Sequence, residues 1–302
     1  MRVIVTGGAG FIGSHVVDAL VARGDEAHVV DNFATGRREN LNSAAALHEH
    51  DIRESLAGLF DEVRPDAVVH LAAQADVGTS VAQPTLDAEV NVLGTLNVLE
   101  AARAHGAQVV FSSTGGAIYG ECDRPAPEDY PRQPLSPYGT AKLAAEEYLA
   151  TWNRLYGTNH VTLRFANVYG PRQLAKLEGG VIAIFTDRLR AAEGITIYGD
   201  GEQTRDFVFV GDVVMAVLAA IGRDAGTFNV GTGKETSVNA LFEATRRVAG
   251  ADTVPQYAPA RAGEILRSVL DVSLAEHALD WRPQSSLDDG LRATWESGTG
   301  QP

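Results

Sequence analysis

Short apolar strands alternate with amphipathic helical segments through about residue 165 of this chain. The pattern begins with an apolar run at residues 3–5, followed by a glycine-rich turn and a helical segment at residues 14–23. Such alternation is typical of βαβ units and of a parallel sheet covered by helices on both faces. It predicts an α/β fold, a Rossmann-like doubly wound parallel sheet with a smaller C-terminal lobe.

The second half of the chain has a looser pattern. After Asn167 the helical segments are interrupted by glycine- and proline-containing loops, which favours a smaller lobe over the carboxyl edge of the sheet. We therefore expect a larger α/β domain over residues 1–167 and mainly a smaller second lobe over residues 168–302. The division is not expected to be clean, because a strand-like segment within residues 205–235 is suited to rejoin the first domain.

Charge and cysteine content narrow the functional classes. The net charge of −14 disfavours nucleic acids and anionic membranes as partners, because phosphate binding needs a basic surface. No apolar run approaches the roughly 18 to 20 residues that span a bilayer, and Met1 leads directly into a strand without room for a signal peptide. We therefore expect a cytoplasmic protein. Cys122 is the sole cysteine, which excludes an intrachain disulfide and a cysteine-rich metal site.

The stretch TGGAGFIGS follows the first strand. Residues 8–13 fit the pattern G-x-G-x-x-G, and Gly7, Gly10 and Gly13 share three-residue spacing. Glycines at such positions permit a tight turn and a close backbone approach to a pyrophosphate, which the N-terminus of the next helix attracts. The strand before the turn and the helix after it make dinucleotide binding the favoured interpretation.

An acid at the end of the second predicted strand selects the cofactor. Asp31 follows Val29 and Val30, where a carboxylate binds the adenosine ribose hydroxyls and repels a 2′-phosphate. NAD is therefore preferred, while Arg37 and Arg38 keep NADP open as an alternative.

Histidines near the third strand offer a competing interpretation. His48 and His50 alternate within the sequence HEHD, which would put them on one face of a strand. A metal site needs further ligands, so we favour solvent-facing side chains that lead to Asp51, a loop acid near the adenine. We predict no metal site.

Two later segments suggest a reaction centre. FSSTGGAIYG, residues 111–120, places hydroxyls at the end of an apolar strand, where ligands of open α/β sheets bind. Tyr138 and Lys142 are spaced i, i+4 at the start of a helical segment. The ammonium and the positive helix end are expected to lower the tyrosine pKa, which makes Tyr138 a candidate general base.

Five ordered motifs identify the chain with a family. The two glycine-containing stretches, the Tyr138–Lys142 pair and residues 164–172 and 198–207 together resemble the extended short-chain dehydrogenase/reductases, specifically the NAD-dependent epimerase/dehydratase family. Within it the chain is most similar to UDP-sugar 4-epimerases, from residue 1 to about 285. The cofactor-binding residues that we predict are Gly7, Gly10, Phe11, Ile12, Gly13, Asp31, Asn32, Asp51, Ile52, Leu71, Ala72, Ala73, Asn91, Ser112, Tyr138 and Lys142. For Asn91, inside an apolar helix, a satisfied core amide and a cofactor-orienting group stay equally open.

The resemblance implies a catalytic set. Thr114, or Ser113 beside it, would bond the 4-hydroxyl of the sugar, Tyr138 would remove its proton, and Lys142 would hold the nicotinamide ribose. Hydride would pass from C4 to NAD and return to the opposite face of a 4-keto sugar. Dehydratases and decarboxylases of the family carry an acid after the hydroxyl residue, whereas this chain has glycines at positions 115 and 116. Epimerisation needs no such acid.

The resemblance implies that residues 1–167 form an NAD-binding Rossmann domain and that residues 168–302 are mainly a nucleotide-sugar-binding lobe. It also suggests substrate contacts. Asn167 would touch the diphosphate or sugar, Arg205 and Arg261 would clamp the diphosphate, and Ser268 stands where side-chain bulk limits sugar size. Arg188 or Arg190 would meet the carboxylate of a uronate, although solvated helix arginines are the alternative. UDP-glucuronate/UDP-galacturonate and UDP-glucose/UDP-galactose both remain open as substrates.

The resemblance leaves other assignments to weigh. A decarboxylase, a reductase and a non-catalytic NAD sensor are the alternatives to an epimerase. Family members commonly pair two helices from each subunit, so we expect a homodimer through residues 90–104 and 141–156.

Overall fold

The computed structural model describes residues 1–175, 180–260 and 265–298. Within these ranges, no helix combines the length and apolar character needed to cross a bilayer. The strands are β1 (Arg2–Thr6), β2 (Glu26–Asp31), β3 (Ala46–Glu49), β4 (Ala67–His70), β5 (Gln108–Thr114), β6 (Val161–Phe165), β7 (Asn167–Tyr169), β8 (Thr196–Tyr198), β9 (Thr204–Arg205), β10 (Phe207–Phe209), β11 (Gly226–Val230), β12 (Thr236–Ser237), β13 (Gln256–Ala258) and β14 (Arg267–Ser268).

The helices alternate with these strands in the first half of the chain. A 3₁₀ turn lies at Arg38–Asn40 and a π-helical turn at Glu89–Leu93. The α-helices are α1 (Phe11–Arg23), α2 (Ala57–Val63), α3 (Val77–Ala82), α4 (Pro84–Ala88), α5 (Gly94–His105), α6 (Gly115–Ile118), α7 (Pro137–Tyr156), α8 (Val181–Arg190), α9 (Val210–Ala220), α10 (Val238–Ala249), α11 (Ser273–Leu279) and α12 (Leu287–Ser297).

The central sheet of the described residues has seven strands in the order β3-β2-β1-β4-β5-β6-β11. Every neighbouring pair is parallel. Strand order reverses between β1 and β4, which creates the crevice where open α/β sheets bind ligands. The predicted Rossmann-like α/β fold is confirmed.

Both faces of this sheet are buried. Val3 and Val5 of β1 pack in the layer beneath α1 and α9, whereas Ile4 packs in the opposite layer with α2, α5 and α7. Successive side chains of a strand point to opposite faces, so an uninterrupted apolar run supplies both layers at once. This is why the buried strands read as continuous apolar segments in the sequence.

The later part of the chain adds short sheets over the carboxyl edge. β7 pairs with β10, β9 pairs with β12 and β14, and β8 pairs with β13. A third apolar cluster lies here, with Phe185 of α8 and Phe242 of α10 in edge-to-face contact. β11 lies within the predicted returning segment and extends the central sheet beside β6.

A buried ion pair joins β6 to α7. The Arg164 guanidinium donates to both carboxylate oxygens of Glu146, with Nη2 2.7 Å from Oε2. It also donates to the Tyr119 hydroxyl at 2.7 Å and to the Glu128 carbonyl at 2.8 Å. Both charged side chains are 4% exposed, so loss of one partner would leave an unpaired buried charge.

We therefore expect Arg164→Leu to lower the free energy of unfolding by about 3–5 kcal/mol, measured by urea denaturation. The matched control is Arg132→Leu. Arg132 donates at 2.6 Å to Glu147, which follows Glu146 on α7 but is exposed to solvent. That exposed pair contributes about 0–1 kcal/mol. Equal losses in the two variants would contradict the expectation.

Candidate active site

A cavity of about 550 Å³ opens at the carboxyl edge of the sheet, a volume typical of ligand pockets. All the predicted cofactor residues except Asn91 line it: Gly7, Gly10, Phe11, Ile12, Gly13, Asp31, Asn32, Asp51, Ile52, Leu71, Ala72, Ala73, Ser112, Tyr138 and Lys142. Ser113 and Thr114 line the same cavity. The fold thus collects residues from the turns after five strands around one space.

The glycine turn has no room for side chains. Gly7 has a φ of +70°, and a Cβ added at Gly13 would lie 2.1 Å from the Gly7 carbonyl oxygen. A Cβ at Gly7 would lie 2.7 Å from the Ala72 nitrogen. α1 begins directly after this turn, so its backbone N–H groups face the cavity that the bare backbone leaves open. This cradle fits the pyrophosphate of a dinucleotide.

Asp31 ends β2 beside this turn and is 7% exposed. Its carboxylate accepts from the Ala9 nitrogen at 2.9 Å and the Phe33 nitrogen at 2.8 Å. These bonds fix a negative charge at the cavity wall, which suits ribose hydroxyls and disfavours a phosphate. Arg38 is held by Glu49 at 2.5 Å and stacks on Phe33, so it is already engaged on the β3 side. The geometry fits NAD.

The two histidines near β3 have different hydrogen-bond partners. β3 ends at Glu49, so His50 lies beyond the strand and bonds the Ser55 carbonyl, while His48 bonds and stacks on His28. In the described part of the chain, no group of three histidine, cysteine, aspartate or glutamate side chains is arranged to hold a metal.

Asp51 lies beyond β3 with both carboxylate oxygens bonded. Arg53 and Asn32 donate to it, and the Arg53 side chain holds the pKa of that carboxyl well below its usual range. Asp51 therefore stays ionised at the rim of the cavity.

Strand alternation separates the hydroxyls at the end of β5. Ser112 and Thr114 are partly exposed, whereas Ser113 between them is buried. The Ser112 hydroxyl donates to the His70 carbonyl at 3.1 Å, and a hydrogen bond joins Thr114 to Tyr138. The Ser113 oxygen has no bonding partner in the described structure. The geometry therefore joins Thr114, and not Ser113, to the tyrosine.

α7 places Tyr138 and Lys142 beside these hydroxyls. Ser136 caps the helix by accepting from the Gly139 nitrogen at 3.2 Å. The Lys142 ammonium is buried, donates to the Ser112 carbonyl at 3.0 Å and lies 4.8 Å from the centre of the Phe111 ring. The helix thus holds the two titratable groups under the end of β5.

Burial controls the protonation of both groups. It raises the pKa of Tyr138 to about 12, although the bond with Thr114 opposes the rise. It lowers the pKa of Lys142 to about 8, opposed by the carboxylates of Asp87 and Glu146. The expectation that the tyrosine pKa falls was wrong for the protein alone, because desolvation outweighs the hydrogen bond with Thr114 and the Asp87 charge adds to the rise.

Sequence comparison assigns the chain to a family. Residues 3–231 match the model of the NAD dependent epimerase/dehydratase family. The chain belongs to this family. The predicted resemblance and the predicted NAD cofactor are thereby confirmed.

Similar proteins within the epimerase/dehydratase family match along nearly the whole chain. UDP-glucose 4-epimerase of Mycolicibacterium smegmatis is 44% identical over 306 residues, covering 98% of each chain. The crystal structure of UDP-glucose 4-epimerase from Thermotoga maritima with UDP-glucose has a TM-score of 0.96 and 47% identity, covering 98% of each chain. The Thermus thermophilus UDP-glucose 4-epimerase complex with NAD has a TM-score of 0.94 and 45% identity, covering 99% of each chain.

The substrate residues expected from the family lie outside the cavity lining among the described residues. Asn167 is exposed at the start of β7, and its Oδ1 lies 3.4 Å from the position of a Cβ on Gly116. Arg205 and the buried Ser268 are register partners on β9 and β14. Arg261 falls outside the described residues.

The helix arginines are engaged away from the cavity. Arg188 donates to the Gly194 carbonyl at 2.8 Å. Arg190 donates to the Thr294 carbonyl at 3.0 Å and stacks on Trp295. Neither side chain is among the described residues that line the cavity, so the uronate contact of Arg188 stays a prediction. Both lie in the last turn of α8. Their partners are the carbonyl of Gly194, just after that helix, and the carbonyl of Thr294, near the end of α12.

A buried polar network that the sequence did not predict underlies the site. Asn91 lies on the π-helical turn, where it donates to the Gln74 carbonyl and to Asp87 and accepts from the Gln74 nitrogen. Its amide is therefore a satisfied core group. The signal for this network is the set of polar residues inside apolar segments, His70 and Asp87 among them, because buried polar groups need partners.

The two hydroxyls at the end of β5 give a direct test. We expect Thr114→Val to lower kcat about 10²-fold, since it removes the hydroxyl that bonds Tyr138. Ser113→Ala is the matched control and should change kcat less than about threefold, because its oxygen has no partner. Steady-state kinetics with both variants checks this, and a larger loss for Ser113→Ala would reverse the assignment.

Proposed function

We propose that this chain is an NAD-dependent UDP-sugar 4-epimerase that interconverts UDP-glucose and UDP-galactose. The observation that carries the proposal is the meeting of Thr114, Tyr138 and Lys142 at the end of β5 in a dinucleotide-sized cavity. The relatives named above support the same activity, so the enzyme class predicted from the sequence is confirmed at the level of the family.

The protein contributes orientation and proton transfer. In our proposal Thr114 bonds the 4-hydroxyl of the sugar, and Tyr138 accepts the proton of that hydroxyl and later returns one to the 4-oxygen. The buried Lys142 ammonium has N–H bonds left for ribose hydroxyls beyond the one that it donates to the Ser112 carbonyl. When bound, NAD supplies the hydride acceptor and donor at C4. The residues that we propose to contact NAD are the predicted cofactor residues that line the cavity.

The charge state of Tyr138 supports a role for a bound cation. With a pKa of about 12 in the protein alone, the phenol is neutral at pH 7. A positive charge in the cavity stabilises the phenolate and lowers that pKa. The oxidised nicotinamide is such a charge, so base strength would develop only in the loaded enzyme.

The glycines after Thr114 favour epimerisation over carbon–carbon cleavage. A Cβ at Gly115 would lie 2.6 Å from Leu270 in the core, whereas one at Gly116 would make only an ordinary contact with Asn167. The absence of a side chain at Gly115 is therefore explained by packing. At Gly116 there is room for a side chain, but glycine supplies no acid. No carboxylic acid stands there to assist loss of water or CO₂.

The neutral hexose pair is preferred over the uronates. Arg188 and Arg190 are bound to carbonyls away from the cavity, so neither supports recognition of a C6 carboxylate. The contacts of Asn167, Arg205, Arg261 and Ser268 with the substrate stay predictions. So do the boundary between the two lobes near residue 167 and the cytoplasmic location.

The proposal is tested by incubating the purified protein, with no added cofactor, with UDP-glucose, UDP-N-acetylglucosamine or UDP-glucuronate. We expect UDP-galactose, equal in mass to its substrate, as the main product. Tyr138→Phe should lower kcat about 10²- to 10⁴-fold while retaining NAD, measured by release on denaturation. Tyr257→Phe is the control, since that exposed tyrosine lies on β13.

Other outcomes would contradict this assignment. A product lighter by CO₂ would indicate a decarboxylase, and epimerisation confined to UDP-glucuronate would indicate a uronate enzyme. Full turnover by Tyr138→Phe would exclude the proposed base.

We also propose that two copies pair through α5 and α7. Tyr148, Trp152 and Tyr156 form an edge-to-face stripe along α7 with ring centroids 5.9 and 5.6 Å apart. Leu155 is 64% exposed and Leu93, just before α5, is 55% exposed. Exposed apolar stripes of this kind mark protein interfaces.

We expect Tyr148→Arg to weaken dimerisation at least tenfold in sedimentation equilibrium, because an interface core rarely accepts an unpaired charge. Met215→Arg on α9 is the matched control, since Met215 is 57% exposed on a different helix. A monomeric wild-type protein, or equal effects of both changes, would exclude this interface.

A further inference from the structure

A buried carboxylate lies behind the catalytic pair. Asp87 of α4 is 1% exposed, and its Oδ1 accepts from Gln74 at 2.8 Å and from Asn91 at 2.9 Å. Its Oδ2 is buried without a hydrogen-bond partner in the described structure. A carboxylate in such surroundings is costly unless a positive charge compensates it.

Lys142 is the buried cation whose charge acts on Asp87. α4 packs against α7, and the charge of Asp87 acts on both Lys142 and Tyr138. The other carboxylate that acts on Lys142 is Glu146, whose two oxygens are taken by Arg164. Of the two carboxylates, Asp87 is therefore the one whose charge is not already paired with an arginine.

The remaining titratable group beside Lys142 is His70 on β4. Burial lowers its pKa to about 3, and its ring nitrogens are bonded to the hydroxyls of Thr6 and Thr95. It is neutral at working pH and cannot balance either charge.

We propose that Asp87 is a positioning residue of the active site, whose buried carboxylate is the counter-charge that keeps Lys142 an ammonium beneath Ser112. The inference rests on the proposed proton transfer by Tyr138. In this arrangement Gln74 and Asn91 donate to Oδ1 and fix the Asp87 carboxylate in place. The polar network thus holds one negative charge beside α7, the helix that carries Tyr138 and Lys142.

The Asp87 carboxylate shifts the pKa values of Lys142 and Tyr138 in the same direction. A negative charge favours an ammonium and disfavours a phenolate, so it raises the pKa of Lys142 and of Tyr138 together. Its removal should lower both pKa values. Activity that needs the phenolate then appears at lower pH, and activity that needs the ammonium is lost at lower pH.

The experiment replaces Asp87 by asparagine in the holoenzyme. In Asp87→Asn the amide oxygen still accepts from Gln74 and Asn91, while the charge is gone. We expect both limbs of the pH profile of kcat to move toward acid by about one pH unit. Asp224→Asn is the control for net charge, because Asp224 is exposed just before β11, at the opposite edge of the sheet. An unmoved profile in a folded Asp87→Asn protein would overturn the proposal.

A thermal double-mutant cycle tests the pair without any activity. Lys142→Met leaves the Asp87 carboxylate unpaired, so we expect it to lower the midpoint of unfolding more in the wild-type background than in the Asp87→Asn background. If Asp87→Asn alone fails to fold, the double variant should recover folding, because it also removes the unpaired ammonium. Failure of both, or additive midpoints, would reduce Asp87 to a structural role.

The parallel Tyr138→Phe assay separates the two proposals. Full turnover by that variant contradicts the proposed function, while the thermal cycle still judges the charge pair. A dead Tyr138→Phe with additive midpoints contradicts only the role of Asp87.

Discussion

The site depends on a buried histidine at the point where the strand order reverses. His70 is fully buried at the end of β4 beside β1, with Nδ1 2.7 Å from the Thr6 oxygen and Nε2 3.0 Å from the Thr95 oxygen. Thr95 donates to the Asn91 carbonyl, and the Ala72 nitrogen donates to Thr6. The directions of these bonds require a proton on Nε2 and none on Nδ1. The neutral imidazole of His70 thus connects the end of β1, at the cofactor crevice, to Thr95 of α5.

Desolvation is the second constraint, and it acts on every ionisable group near the end of β5. The same burial that lowers the pKa of Lys142 raises that of Tyr138, so neither group alone is prepared for proton transfer at neutral pH. Nearby charges have to shift the pKa values of these two groups. Asp87 supplies a negative charge that favours the Lys142 ammonium but disfavours the Tyr138 phenolate, whereas the Arg164–Glu146 pair is internally balanced and joins β6 to α7.

Local patterns in the sequence were sufficient for the parts of the site built on one segment. The glycine turn needs its glycines because backbone atoms occupy the space of a Cβ, and the acid at the end of β2 follows from the strand itself. The i, i+4 spacing of Tyr138 and Lys142 predicted their common helix face, since that relation depends only on helical geometry. Alternating apolar strands and helices likewise predicted the doubly wound sheet.

Relations between distant segments were beyond the sequence. The sequence left Ser113 and Thr114 equivalent, and only the packing of α7 against β5 joined Thr114 to the tyrosine. Arg188 looked available for a substrate because a helix wheel does not reveal the carbonyl of Gly194 beside it. The sequence by itself determined the fold class and the cofactor turn, because both arise from local periodicity and backbone sterics. Tertiary structure alone decided the protonation of the catalytic pair and its buried counter-charge, because desolvation and charge proximity depend on segments far apart in the chain.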